Sequence, residues 1–183
     1  MGLQVAHSGK AKRKSLWVFG YGSLIWDRGD VQPTEIREGF LEGWHREWSW
    51  ISSRRHGAPT CSLCEGGRVK GVFLRLNAET ARLDLKKLRS RERKSTERTV
   101  ADIPEPGAET HIWTMGSNLE HHSDLRGLEG DELLRGLAHR AQRTATPGPD
   151  EVYPSEYIRR VRDFDPGDEL TARLATFSVL EGG

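Results

Sequence analysis

The early part of the chain alternates apolar and polar residues with the period of a β-strand. Residues 16–26, LWVFGYGSLIW, begin as a buried strand would and then break at two glycines, which predicts a strand, a loop and a short apolar continuation. Residues 38–53 favour a second strand, and a change of period midway indicates room for a bulge. Residues 58–77 predict a hairpin with its turn at Gly66-Gly67. We therefore expect antiparallel β-structure over this part of the chain.

Helical periodicity follows these strands. Residues 78–93 space three leucines as a helix facing a core would, with Asn77 available as the N-cap. The three leucines are Leu83, Leu85 and Leu88. Further helices are predicted at 131–143 and 153–164, short strands at 98–104 and 110–116, and either helix or strand for the tail from residue 168. Strands early and helices later predict an α+β fold.

The composition indicates one domain and a small partner. With 183 residues, of which 35% are hydrophobic, the chain can bury one core well but not two. We predict a flexible basic leader, residues 1–14, followed by a single domain, residues 15–183. The formal net charge is +1, so no overall field favours nucleic acid or an anionic membrane. The expected partner is a small molecule, and the oligomeric state is left open.

The remaining composition argues against membrane insertion, a disulfide framework and a metal site. No apolar run reaches the roughly 18 to 20 residues of a membrane span. Two cysteines, Cys61 and Cys64, are typical of a reducing compartment and predict a cytoplasmic protein. On a strand these two positions would face opposite sides, which prevents chelation. The histidines show no ligand spacing either; they include His111, His121, His122 and His139.

The first candidate binding element is a glycine loop formed by Tyr21, Gly22, Ser23 and Leu24. Glycines let successive backbone N–H groups converge on an anion, and such a nest can hold a carboxylate or a phosphate. The segment lacks the lysine of a P-loop and the third glycine of a dinucleotide fingerprint, which argues against a nucleotide. From the residues alone, an ordinary turn after the first strand explains the glycines equally well.

Two charged positions could act on a ligand held by that loop. Glu92 lies in an arginine-rich stretch that a solvated helix face explains. A glutamate turned into a partly apolar pocket would instead have its pKa raised and suit a general base, although neighbouring arginines would lower that pKa again. Arg55 follows a predicted strand and precedes a turn, where it could bind a substrate carboxylate or be solvated. The residues alone leave both alternatives open.

Four segments, taken in order, resemble one enzyme family. They are residues 18–26, VFGYGSLIW; 54–63, RRHGAPTCSL; 88–92, LRSRE; and 153–161, YPSEYIRRV. Together they resemble the γ-glutamylcyclotransferase superfamily, and most of all its ChaC-like, glutathione-acting branch. The resemblance extends roughly over residues 16–162.

This resemblance implies a fold and a reaction. The implied fold is a small α+β domain built on a mixed, partly closed β-barrel with packed helices. The implied reaction is the cofactor-free release of 5-oxoproline from a γ-glutamyl compound, which in the ChaC-like branch is glutathione, with Cys-Gly as the other product. The substrate's own α-amino group is the nucleophile, so the enzyme needs only a base and a pocket that folds the γ-glutamyl chain toward a ring.

The resemblance also implies residue roles. Glu92 would be the general base and acid, and the backbone of the glycine loop would hold the α-carboxylate or polarise the γ-carbonyl. Tyr157 would close the pocket, and Arg55, in the second matching segment, is a further substrate-binding candidate. Glu97 is the competing candidate for the base.

One departure from the family pattern keeps other functions open. The ChaC-like branch follows its glutamate with a Gly-Gly-Tyr-type turn, whereas residues 93–96 here are Arg-Lys-Ser-Thr. The substrate could then be a γ-glutamyl amine rather than glutathione. The same loop would also suit a non-catalytic protein that binds a γ-glutamyl or carboxylate ligand.

Overall fold

Five strands and four helices make up the described part of the protein. The structure, a computed structural model, describes residues 14–53, 57–143 and 154–180, without the side chains of residues 179 and 180. The strands are β1 Ser15–Gly20, β2 Glu35–Ser52, β3 Ala58–Arg75, β4 Thr96–Ala101 and β5 Ala108–Thr114. The helices are α1 Ala81–Arg91, α2 Gly130–Arg143, α3 Pro154–Phe164 and α4 Glu169–Leu180. The α+β class predicted from the sequence is confirmed, and the ambiguous tail is a helix.

The strands form one mixed sheet in the order β2-β3-β1-β5-β4. The central strand β1 is antiparallel to β3 and parallel to β5. Alternate β1 side chains enter different clusters: Val18 packs toward α1, while Trp17 and Phe19 join a cluster whose buried members all come from strands. A core made of strand residues is expected where a sheet curves toward closure. In the described part of the chain the edge strands β2 and β4 do not pair with each other, so the sheet stays open.

The two adjacent glycines, Gly66 and Gly67, lie inside β3 and do not form a hairpin turn. β3 pairs with β2 continuously, from Glu35 opposite Arg75 to Ser52 opposite Ala58, so the predicted turn is wrong. The pairing slips where Gly43 of β2 faces the two glycines, and all three have positive φ, at 79°, 100° and 72° respectively. Glycine adopts positive φ without a steric penalty, which permits the bulge. At this slip the extra residue lies in β3. A second slip, between Glu47 and Trp50, sets Trp48 and Ser49 of β2 opposite Cys61 alone, and this is the bulge that the sequence predicted in β2.

Helix α1 covers one face of the sheet. It buries Ala81, Asp84, Leu85 and Leu88, which follow the i, i+3, i+4, i+7 spacing of one helix face. Leu83 is 55% exposed, so its predicted core position is wrong, because it falls on the opposite side of the helix. The Asn77 side chain accepts a hydrogen bond from the Glu79 N–H at 3.0 Å, one turn ahead of the helix rather than at its N-cap, which is Thr80.

The other three helices form a second layer against the carboxyl end of β2 and the start of β3. Their buried residues share one cluster with Trp48, Ile51 and Cys61 of the two strands; they include Leu134, Leu137, Tyr157, Ile158 and Leu174. This cluster brings α3 close to the carboxyl end of β1. None of the described helices has the length and apolar composition needed to cross a bilayer. The division into a leader and one domain stays a prediction, since residues 1–13 lie outside the described part.

Candidate active site

A cavity of about 180 Å³ opens at the carboxyl end of β1. It is bordered by the glycine loop after β1, the end of β2, the start of β3, the turn after α1, the end of β5 and helix α3. Its apolar wall includes Phe19, Trp50, Trp113, Met115 and Tyr157. Its polar lining includes Ser23, Thr60, Arg91, Glu92 and Lys94. The cavity therefore combines an apolar floor with charged groups, as small-molecule sites do.

The glycine loop is fixed in place from two sides. The Tyr21 hydroxyl donates to the carbonyl of Trp113 at 2.7 Å, and Arg46 Nε donates to the Tyr21 carbonyl at 3.1 Å. Burial raises the pKa of the Tyr21 phenol well above its ordinary value of 10.0, and the Cys61 thiol nearby adds to the shift. Tyr21 is therefore a neutral hydrogen-bond donor at physiological pH, and its bonds hold the loop rigid.

Gly22 is the point of closest approach between the loop and α3. A Cβ at this position would lie 2.7 Å from the Tyr157 hydroxyl and 3.1 Å from Cys61 Sγ. Those two groups contact each other at 3.0 Å. Only a residue without a side chain fits between the loop and this pair, which explains the second glycine of the motif.

Replacing Gly22 by alanine is therefore expected to lower turnover at this cavity by about tenfold or more, because displacing a loop that lines a reaction site by a fraction of an ångström is costly. The matched control is Gly116→Ala, since a Cβ at Gly116 meets nothing within 4 Å. Steady-state kcat/KM of the two variants makes the comparison. Equal activity of both variants would show that the contact with Tyr157 does not matter.

Glu92 is the C-cap residue of α1, and it borders the cavity. Its N–H donates to the Leu88 carbonyl at 2.8 Å, and its own carbonyl accepts from the Ser95 N–H at 2.7 Å, so the backbone is fixed on both sides. The side chain is 24% exposed, and Oε1 lies 3.3 Å from Nε of Arg91. The pattern of the sequence alone could not say which way this carboxylate faces; the structure places it at the cavity wall.

Arg91 connects that carboxylate to the glycine loop. Its guanidinium donates to Ser23 Oγ at 2.8 Å and to the Asp27 carbonyl at 3.0 Å, and it pairs with Glu92. One planar side chain thus holds the end of α1 against the turn that follows β1. This contact brings together the glycine loop and Glu92, which are far apart in the sequence.

Glu97, the competing candidate for the base, does not line the cavity. Its two oxygens accept hydrogen bonds from Arg89, at 2.7 and 2.9 Å, and one of them lies 2.7 Å from His111 Nδ1. The hydrogen bonds from Arg89 hold the pKa of Glu97 below its ordinary value of 4.5, and the contact with His111 lowers it further. A carboxylate held in this way is a weak base, which argues against Glu97.

Two lining residues had no sequence signal of their own. Thr60 borders the cavity, and its buried Oγ1 has no hydrogen-bond partner among the described residues. Trp113 reaches the cavity because β5 runs parallel to β1, which puts the carboxyl ends of both strands at one edge. Only the strand order, which the sequence does not reveal, would have identified them.

Tyr157, from the last matching segment, does reach the cavity. It is 4% exposed and packs edge-on against Trp26 and Trp48, with ring centroids 5.5 Å apart in each pair. The segment 54–56, which contains Arg55, lies outside the described residues. The structure thus brings together the glycine loop, Glu92 and Tyr157.

The two cysteines lie on different sides of β3. Cys61 is buried at the cavity wall, whereas Cys64 is half-buried, and burial raises the pKa of the Cys64 thiol to about 11. A thiol with so high a pKa is a poor metal ligand at neutral pH. Over residues 14–53, 57–143 and 154–180, no group of three or more potential metal ligands is found.

The chain is similar to known proteins both in sequence and in fold. The chain is 39% identical over 82 residues to the glutathione-specific γ-glutamylcyclotransferase of Escherichia coli strain K12, a match that covers 42% of this chain and 35% of the relative. The chain thus matches only about a third of that relative's length. The crystal structure of a glutathione-specific γ-glutamyl cyclotransferase from yeast superimposes with a TM-score of 0.65 at 15% identity, over 90% of this chain and 96% of the other. That similarity shows the fold. The sequence model of the ChaC-like protein family matches residues 16–120, which is more than half of the chain, so the chain belongs to the ChaC-like family.

Proposed function

We propose that this protein is a γ-glutamylcyclotransferase that converts glutathione into 5-oxoproline and Cys-Gly. The observation that carries the proposal is that Glu92 and the glycine loop line the same cavity. The family match and the named activity of the Escherichia coli relative support the choice of substrate. Cys61 and Cys64 are thiols rather than a disulfide, which supports a cytoplasmic location, where such a substrate is found.

The chemistry requires one proton acceptor and a folded substrate. Glu92 takes a proton from the substrate α-ammonium, and the free amine attacks the γ-carbonyl carbon. A C–N bond forms within the γ-glutamyl group, and the amide bond to cysteine breaks. Glu92 then returns the proton to the departing cysteine nitrogen. No water, cofactor or protein nucleophile is consumed, and confinement of the two reacting atoms provides much of the acceleration.

The glycine loop supplies the groups that hold the substrate. Within the turn that follows β1, hydrogen bonds begin at the N–H of Ile25, which donates to the Gly22 carbonyl at 3.0 Å. The three residues before Ile25, which are Gly22, Ser23 and Leu24, line the cavity. We propose that their backbone N–H groups bind the α-carboxylate or the oxyanion that forms on the γ-carbonyl. The side chains of Tyr157, Trp50 and Trp113 exclude water from the cavity.

The test is to incubate purified protein with glutathione and, separately, with a γ-glutamyl amino acid, and to follow 5-oxoproline by chromatography. We expect 5-oxoproline and Cys-Gly in equal amounts from glutathione. Calorimetry with glutathione on the same preparation measures binding independently of turnover. Binding without product from either substrate would overturn the enzyme assignment and favour a non-catalytic binding protein.

A further inference from the structure

The mouth of the cavity carries positive charge that the proposed reaction does not use. Among the described lining residues, three basic side chains, Arg91, Arg93 and Lys94, stand beside one carboxylate, Glu92, which leaves two positive charges in excess. Arg91 is already bonded to the glycine loop. Arg93 and Lys94 are exposed, so they lie at the rim, where an incoming ligand passes.

Lys94 is held at this rim in a position to bind an anion. The Ser95 N–H donates to the Glu92 carbonyl at 2.7 Å, which folds the chain back so that residues 92–95 all border the cavity. Lys94 Nζ donates to Ser53 Oγ on the facing wall at 3.1 Å. An ammonium group has three N–H donors, so others remain available.

The two nearest arginines of the described helix α1 are neutralised. Arg89 is paired with Glu97, and Arg91 with Asp27 and Glu92. Neither Arg93 nor Lys94 forms an ion pair with any residue in the described ranges. Two adjacent cations without carboxylate partners, beside a pocket, create a local positive potential that favours an anionic ligand.

We propose that Lys94, assisted by Arg93, binds the terminal carboxylate of the leaving group and so selects γ-glutamyl peptides over γ-glutamyl amines. This inference rests on the proposed function. A cavity of about 180 Å³ is smaller than the pockets of roughly 300–1,000 Å³ that enclose drug-sized ligands, so it accommodates the γ-glutamyl group but leaves the rest of a tripeptide at the mouth. A peptide leaving group ends there in a carboxylate that can accept charge-assisted hydrogen bonds, whereas an amine leaving group has no anion to offer.

The test compares glutathione with its C-terminal glycinamide, which removes the terminal charge and keeps the shape. For the wild-type protein we expect kcat/KM to be about tenfold higher for glutathione, the size of one exposed charge-assisted hydrogen bond. In Lys94→Met we expect the ratio of the two kcat/KM values to fall to about one. Raising the ionic strength should shrink the wild-type ratio, because exposed charges are screened by salt.

The matched control is Lys86→Met, on the exposed face of α1 and outside the cavity lining, which should keep the wild-type ratio. Arg93→Met serves as a second variant and should lower the ratio by a smaller factor. If the wild-type protein cleaves glutathione but Lys94→Met keeps its ratio, the inference is wrong and the proposed function stands. If the wild-type protein yields 5-oxoproline from neither compound, the proposed function fails and this inference fails with it.

Discussion

Glu92→Gln is expected to lower the rate of 5-oxoproline formation by about 10²–10⁴-fold, the usual contribution of a general base. Glutamine has nearly the same shape but cannot accept the proton of the α-ammonium group. The effect should appear in kcat, while the affinity for glutathione measured by calorimetry changes little. Circular dichroism and thermal unfolding would establish that the variant is folded.

Glu97→Gln is the matched control, since Glu97 follows closely in the same stretch and lies outside the cavity lining. It should retain turnover and lose about 1 kcal/mol of stability, because Arg89 and His111 lose their partner. Because the pKa of Glu97 is lower in the folded protein, its contribution to stability is complete above pH 4.5 and is lost as the pH falls through the folded-state pKa. The wild-type protein and Glu97→Gln should therefore have similar stabilities in acid. A dead Glu97→Gln enzyme beside an active Glu92→Gln enzyme would reverse the assignment.

Arg46→Met is expected to destabilise the protein by about 3–5 kcal/mol, the cost of removing one partner from a buried ion pair. The Arg46 side chain is 1% exposed, and its guanidinium donates to Asp165, Asp168 and the carbonyls of Tyr21 and Lys70. Methionine fills similar space but leaves two carboxylates without their cation. Urea unfolding at neutral pH measures the loss.

The control for this change is Arg159→Met on the surface of α3. Arg159 pairs with Glu156 and Asp163, but its side chain is 53% exposed, so water and salt already screen the interaction. Its removal should cost far less stability than the loss of Arg46. Similar losses in the two variants would mean that burial does not set the strength of the Arg46 network.

The sequence predicted those parts of the site whose signal is local. The glycine loop and Glu92 lie in short segments with a recognisable pattern. The apolar spacing of α1 predicts a helix that ends next to Glu92. The misreading of Gly66-Gly67 has a physical basis, because a positive-φ glycine pair permits either a turn or a bulge, and only the pairing with β2 decides between them.

Contacts between distant parts of the chain could not be predicted in the same way. Arg46 meets Asp165 across 119 positions of sequence, and neither residue lies in a segment whose pattern suggests the other. The positions of Thr60 and Trp113 at the cavity likewise depend on strand order. Local periodicity determines which face of an element is apolar, but it carries no information about which element will lie opposite.

The Arg46 network also bears on how proteins of the ChaC-like family can vary. The segment that matches the family ends at residue 120. Asp165 and Asp168, at the turn between α3 and α4, nevertheless bind the arginine that supports the glycine loop. Tyr157 of α3 forms one wall of the cavity. The matched segment therefore does not contain all the residues that build and support the cavity. Sequence changes in the carboxyl-terminal helices would therefore alter the shape of the cavity while leaving the glycine loop and Glu92 unchanged.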